Sequence, residues 1–256
     1  MDTEVLKQES SVAYPKLIRR NFHERLETEH FNYGSAAPCD VLLRCFIDLI
    51  IECDHRRATE MILGAAASGI SLSEIYLRIL QPAMREIGRR YENHQATAVD
   101  QQFAATVTRR IMARLHAEAP YAPRRSHSIV AACVEGDRHD AGIMMLSDLL
   151  DLDGWDVYCV GPDVPTRDLL ITLERRKPNM LALSAAMLDG LLSVTDVITA
   201  LRNSEELSAT RTMVGGLLFN QDSDLWRKVG ADGYARDAAD AVLLANWLMN
   251  EGRRCA

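Results

Sequence analysis

Surplus positive charge is missing from this sequence. Its 256 residues hold 29 Lys and Arg against 36 Asp and Glu, a net charge of −7. A groove for nucleic acid needs a concentrated basic patch, and none stands out, so direct DNA binding is not expected. The six cysteines (39, 45, 53, 133, 159 and 255) form no C-x-x-C pair and no zinc-finger spacing. Cys45, Cys133 and Cys159 lie in apolar runs and are expected to be reduced, buried thiols. No basic-then-apolar leader opens the chain. The most apolar run, Val41 to Ile51, is short and interrupted by Arg44 and Asp48. A soluble cytoplasmic protein with no membrane span is therefore expected. No Ser-His-Asp or Cys-His set emerges, so side chains alone are not expected to catalyse a reaction. Core material is plentiful: hydrophobic residues make up 48% of the chain and charged ones 25%. That supports one large domain or two of ordinary size.

The hydrophobic period changes along the chain. Residues 1–38 are polar and mixed, and are expected to be a partly ordered extension with no helix-turn-helix. From 39 to 119 everything reads helical. Val41, Leu42, Cys45, Phe46, Leu49 and Ile50 recur at three- and four-residue steps behind Asp40 as N-cap. Ala58 to Ala67 forms a small-residue helix stopped by Gly69, and Ser71 and Glu74 have capping-box spacing. Pro82 is expected to break or kink the next helix. Val99, Phe103, Val107, Ile111 and Leu115 are expected to share one face of the last. Antiparallel helices joined by short loops make a bundle. Residues 120–126, with two prolines, read as a linker.

From 127 to 256, short apolar runs alternate with helical ones. Strands are expected at 129–134, 155–160, 180–183, 212–214 and 233–234. Helices are expected at 143–152, 167–176, 191–201 and 238–249, with a shorter one near 224–229. Buried, non-alternating strands joined by single-helix crossovers mean a parallel sheet covered on both faces. The fold expected for the whole chain is thus α plus α/β: a helical bundle, then a flavodoxin-like (Rossmann-like) five-stranded sheet. Ligands in such a sheet bind beyond the carboxyl ends of the strands.

Three loops at that edge draw attention. After the first strand comes Asp137-Arg138-His139-Asp140-Ala141-Gly142, after the third Ser184-Ala185-Ala186, and after the fourth Gly215-Gly216. An imidazole flanked by carboxylates suits a metal ligand held by a hydrogen-bonded neighbour. Forty-one residues separate Gly142 from Ser184, and twenty-eight separate Ala186 from Gly215. This set resembles the cobalamin-binding domain of methionine synthase, corrinoid methyl carriers, mutases and cobalamin-dependent regulators. Their fingerprint is D-x-H-x-x-G, then S-x-L, then G-G, and Ala186 departs from it where leucine is usual. A phosphoreceiver domain would share the fold, but no lysine follows Lys228 to complete its acidic site.

The resemblance implies cobalamin as cofactor, with His139 ligating cobalt in place of the cofactor's own benzimidazole and Asp137 holding the other imidazole nitrogen. It implies that Gly142, Ser184 and Gly215-Gly216 line a slot for the displaced nucleotide tail. It also extends to a capping bundle through Asp54, Ala58, Gly69, Ile75, Leu80, Pro82, Ala83, Ile87 and Gly88. In cobalamin photoreceptor regulators a tryptophan over the upper ligand and a Glu-His pair follow; here those positions are Tyr91 and Gln101-Gln102. On the extension before Asp40 and the aromatic at Tyr91, the expected function is a light-responsive regulator, an antirepressor acting on a transcription factor (a repressor). The alternative expectation is a corrinoid methyl carrier within a methyltransferase system.

Overall fold

The computed structural model describes residues 38–222 and 224–251. The expectation for the N-terminal extension lies outside the described residues. Helices come first: α1 (Pro38–Ile51), α2 (His55–Ala67), α3 (Leu72–Ile75), α4 (Gln81–Glu92) and α5 (Ala98–Glu118). Their starts are chemically marked. The Asp54 carboxylate accepts from the Arg57 N–H at 3.0 Å. Ser71 with Glu74 and Thr97 with Asp100 form reciprocal capping boxes, each satisfying two otherwise orphan donors. Helix α1 begins two residues before Asp40, which sits in its first turn rather than at its cap.

Pro82 does not break the helix. Residues Tyr76–Leu80 form a π-helical turn between α3 and α4, closed by the Gln81 N–H donating to the Tyr76 carbonyl. The widened turn re-registers the ladder, so Pro82 falls in the first turn of α4, where a missing N–H costs little. Phe46, Ile50, Ile62, Ile75, Ile79, Leu80, Ile87 and Ile111 are fully or almost fully buried in the bundle. Each such side chain contributes about 1.5–3 kcal/mol relative to exposure. Val99 departs from the expected face of α5 and is 73% exposed.

The sheet follows: β1 (Ser128–Val134), β2 (Asp156–Val164), β3 (Met180–Ser184), β4 (Arg211–Gly215) and β5 (Gly233–Tyr234). All pairings are parallel, in the order β2-β1-β3-β4-β5, so the flavodoxin-like fold is observed. Crossovers are α6 (Ala141–Leu152), α7 (Thr166–Arg176), α8 (Gly190–Asn203), the short pair α9 (Leu217–Gln221) and α10 (Leu225–Lys228), then α11 (Ala238–Glu251). Val130, Ala132, Val134, Leu181, Leu183 and Val214 meet Leu169, Leu173, Val194, Val197 and Leu201 in one core. Helices α6 and α11 pack against each other and against the sheet.

Two expectations about burial fail at β2. It is an edge strand with most residues at least partly exposed, and Cys159 is exposed with it. An edge strand has a neighbour on one side only, so an apolar run there need not be covered. Tyr158 is roofed by the Arg176 guanidinium, 3.5 Å from its ring centroid. Cys45 is likewise exposed, whereas Cys133 is buried as expected. Among the described residues no helix is long and apolar enough to cross a membrane.

Two features of the fold position the site. Registers Cys133↔Ser184 and Ser184↔Gly215 bring the ends of β1, β3 and β4 level. The bundle also seats on α6, where the Tyr76 hydroxyl donates to Asp148 at 2.6 Å and Arg109 pairs with Asp140 at 2.9 Å.

Candidate functional site

The loop after β1 is built around Asp137, a carboxylate only 2% exposed. Its Oδ1 accepts from the backbone N–H of His139 at 2.9 Å and lies 2.8 Å from the ring Nδ1. Its Oδ2 accepts from the Ala186 N–H at 2.5 Å, across to the loop after β3. Burial alone would raise this carboxyl, but the ring, the His139 amide and the Ala186 amide outweigh it and hold it below the ordinary range. The hydrogen bond to Asp137 in turn raises His139 above the usual imidazole value, against the opposing effect of partial burial. With Nδ1 engaged, Nε2 is the nitrogen left to ligate, on a side chain 53% exposed.

The other expected residues lie around this axis. Ser184 is buried at the end of β3, opposite Cys133, whose thiol burial pushes well up. Ala186 contributes its backbone N–H, which any residue but proline would supply, so its departure from leucine leaves the bond to Asp137 intact. A Cβ on Gly142, in the first turn of α6, would point into open space. Gly216 is required by conformation and closeness: φ is 99°, and a Cβ there would lie 2.3 Å from the Ala185 carbonyl oxygen. At Gly215 a Cβ would lie 3.1 Å from the Ala235 carbonyl oxygen. Arg138 is 84% exposed, its Nε 3.5 Å from Asp163. Tyr91 is 42% exposed in the last turn of α4, away from the core. Gln101 is the side chain nearest Gly88, its Nε2 3.8 Å from where a Cβ on that glycine would stand.

Sequence reasoning missed Asp163. It is the penultimate residue of β2, with φ at 53°; its N–H donates to the Asp137 carbonyl at 2.7 Å, and its carboxylate accepts from Gly136 N–H at 2.8 Å. The available signal was position, since the loop after the second strand faces the same edge as the other three. The Arg109–Asp140 pair was also missed, because its partners belong to different halves of the chain.

Cobalamin fits these residues. Among the described residues no group of three or more His, Cys, Asp or Glu side chains could cage a bare metal ion. One held imidazole instead suits a metal that arrives with its in-plane ligands already supplied. Met187, Leu188, Leu192 and Leu217, between 46% and 73% exposed, flank Ala186 and Gly216 with apolar surface of the kind a large macrocycle covers.

Comparison with known proteins agrees. Residues 127–243 and 42–116 each match a model described as a B12 binding domain. The chain is 31% identical over 215 residues to dimethylamine corrinoid protein 3 of Methanosarcina acetivorans, spanning 83% of this chain and 99% of that one. The chain belongs to the corrinoid protein family. It is 28% identical over 199 residues to trimethylamine corrinoid protein 1 of the same organism, covering 76% of this chain and 91% of the other. The solved monomethylamine corrinoid protein of Methanosarcina barkeri superposes with a TM-score of 0.72 at 21% identity, over 80% of this chain and 97% of that one, and so shares the fold. This corrinoid protein takes cobalamin as its cofactor.

The family corrects the functional expectation. A light-responsive antirepressor with a transcription-factor partner is overturned by full-length relatives that are methylamine corrinoid proteins. The cobalt-side fingerprint is common to carriers and regulators, so it could not separate them. The aromatic at position 91, which favoured the photoreceptor, is a partly exposed tyrosine at a helix end.

Proposed function

We propose that this corrinoid protein is the carrier subunit of a cytoplasmic methyltransferase system that takes methyl groups from methylamines. The match along nearly the whole length of a dimethylamine corrinoid protein carries this reading. When bound, the cobalt centre supplies the site that accepts and gives up the methyl group. The protein's own residues hold and tune that centre. His139 would hold the cobalt through Nε2, with Asp137 fixing the tautomer and strengthening the imidazole as a donor. The open space at Gly142 would receive the nucleotide tail, the Ser184 hydroxyl would offer a hydrogen bond to its base, and Gly215-Gly216 would leave room for close backbone approach. Arg138 at the loop surface and Tyr91 at the bundle end would border the cofactor. The working division is a bundle cap over residues 39–119, a linker over 120–126 and a cofactor domain over 127–256, behind an extension of residues 1–38. The natural partner is a methylamine methyltransferase.

The test offers the cobalamin-loaded, reduced protein to methylamine:corrinoid methyltransferases with mono-, di- or trimethylamine carrying an isotopically labelled methyl group. Label transferred to the holo-protein, and absent from apo-protein, is the expected result. No transfer from any of the three amines would overturn the reading.

A further inference from the structure

The His139 loop is anchored from two sides. Within its own domain Asp137 holds the ring and amide of His139, and the Cys133 thiol approaches the His139 carbonyl at 3.7 Å. The other anchor comes from the bundle. Arg109 Nη1, on α5, lies 2.9 Å from Asp140 Oδ1, on the residue directly after His139.

Asp140 occupies the N-cap position of α6 without capping it. Its backbone is helical, with φ −85° and ψ −13°, and its side chain makes no bond to the free N–H groups of the first turn. Capping normally needs an extended backbone at that residue. Only 7% exposed, the carboxylate depends on its arginine partner. Without Arg109 the nearest relief is to rotate toward the first-turn amides of α6. That rotation turns the peptide shared with His139, whose carbonyl is the group Cys133 approaches.

We infer that Arg109 is a positioning residue for the lower cobalt ligand, coupling the seat of the bundle to the seat of the His139 imidazole. A bundle that moves off α6 takes Arg109 with it and loosens the ligand loop; a bundle in place holds imidazole on cobalt. This rests on His139 as the lower ligand.

The experiment uses the full chain, grown with nitrogen-15 histidine, loaded with cobalamin and reduced to the cobalt(II) state, whose paramagnetic resonance is split into a doublet by an axial imidazole of the labelled protein and into a triplet by the cofactor's own unlabelled benzimidazole. His139→Ala must lose the imidazole splitting; retention would overturn the ligand assignment and this inference with it. With that control in hand, Arg109→Ala is expected to lower the equilibrium constant for imidazole ligation roughly tenfold or more. Arg109→Lys, which keeps a charge but not the fork, should restore much of it. Arg110→Ala, an exposed neighbour on the same helix, should leave the spectrum as in the parent. Should Arg109→Ala fail to fold, Arg109→Gln keeps the stem and a donor and tests the same charge. A variant at Arg109 that melts lower yet keeps the parent's imidazole-bound fraction well below its Tm would reduce the pair to a packing contact and overturn the inference.

Discussion

The Ala186 amide donates to Asp137 Oδ2 at 2.5 Å, joining two loops 49 residues apart in sequence. The same carboxylate orients His139 through its other oxygen. One buried side chain therefore sets both the pitch of the imidazole and its distance from the β3 loop, where Ser184 and Ala186 stand.

Asp137→Ala should weaken cobalamin binding by about 10–100-fold, the usual cost of removing a group that orients a metal-ligating histidine. Equilibrium titration of the apo-protein with cobalamin measures it. Unchanged affinity would show that His139 needs no such support.

The glycines should separate stability from binding. Gly142→Ala places a methyl in open space within a helix, so the apo-protein should gain up to about 0.5–1 kcal/mol. It should bind cobalamin more weakly if that space receives the tail as proposed, because the methyl would occupy it. Gly216→Ala should instead cost at least about 1–3 kcal/mol, because φ is 99° and the Ala185 backbone stands in the way. Urea denaturation of the two apo-variants, with binding measured alongside, checks both.

Tyr76→Phe should destabilise the protein by about 1–3 kcal/mol, since its hydroxyl serves a partly buried Asp148 at 2.6 Å and lies 3.3 Å from the Met112 carbonyl. Burial already raises the Asp148 carboxyl, with the tyrosine hydrogen bond working against that shift. Losing the hydroxyl should raise it further, a change that NMR titration of the side-chain carboxyl would follow.

Acid stability should depend on Asp232. Its burial favours the neutral form, but the Thr212 amide and the Arg202 guanidinium hold it below its ordinary value of 3.8. A depressed folded-state value stabilises above the unfolded value, and that stability is lost as pH falls from about 3.8 through the folded value. Asp232→Asn should cost about 1–3 kcal/mol at neutral pH. It should also flatten the acid limb of the stability curve in denaturation series from pH 7 downward.

Much of the fold was legible because its signals are local. Ser71 with Glu74 announced a helix start, and the apolar runs at β1, β3 and β4 announced a parallel sheet. Short or edge elements were not: α9 has five residues, too few to show a period, and β2 reads as apolar although its neighbours leave it exposed. Pro82 read as a breaker because the π-turn that accommodates it depends on the packing of Tyr76, Ile79 and Leu80. The regulator-versus-carrier choice was not legible at the cobalt site, since both uses need the same lower ligand.

The sequence by itself determined the cofactor, and it supplied the residues proposed to hold it. An imidazole, a small-residue pair and a hydroxyl at strand ends are identities that no folding can change. Tertiary structure alone decided what holds them: Asp137 to Ala186, Asp163 to Gly136, and Arg109 to Asp140. Those contacts join residues distant in the chain, and their distances depend on strand register and on how α5 seats against α6, which no local pattern encodes.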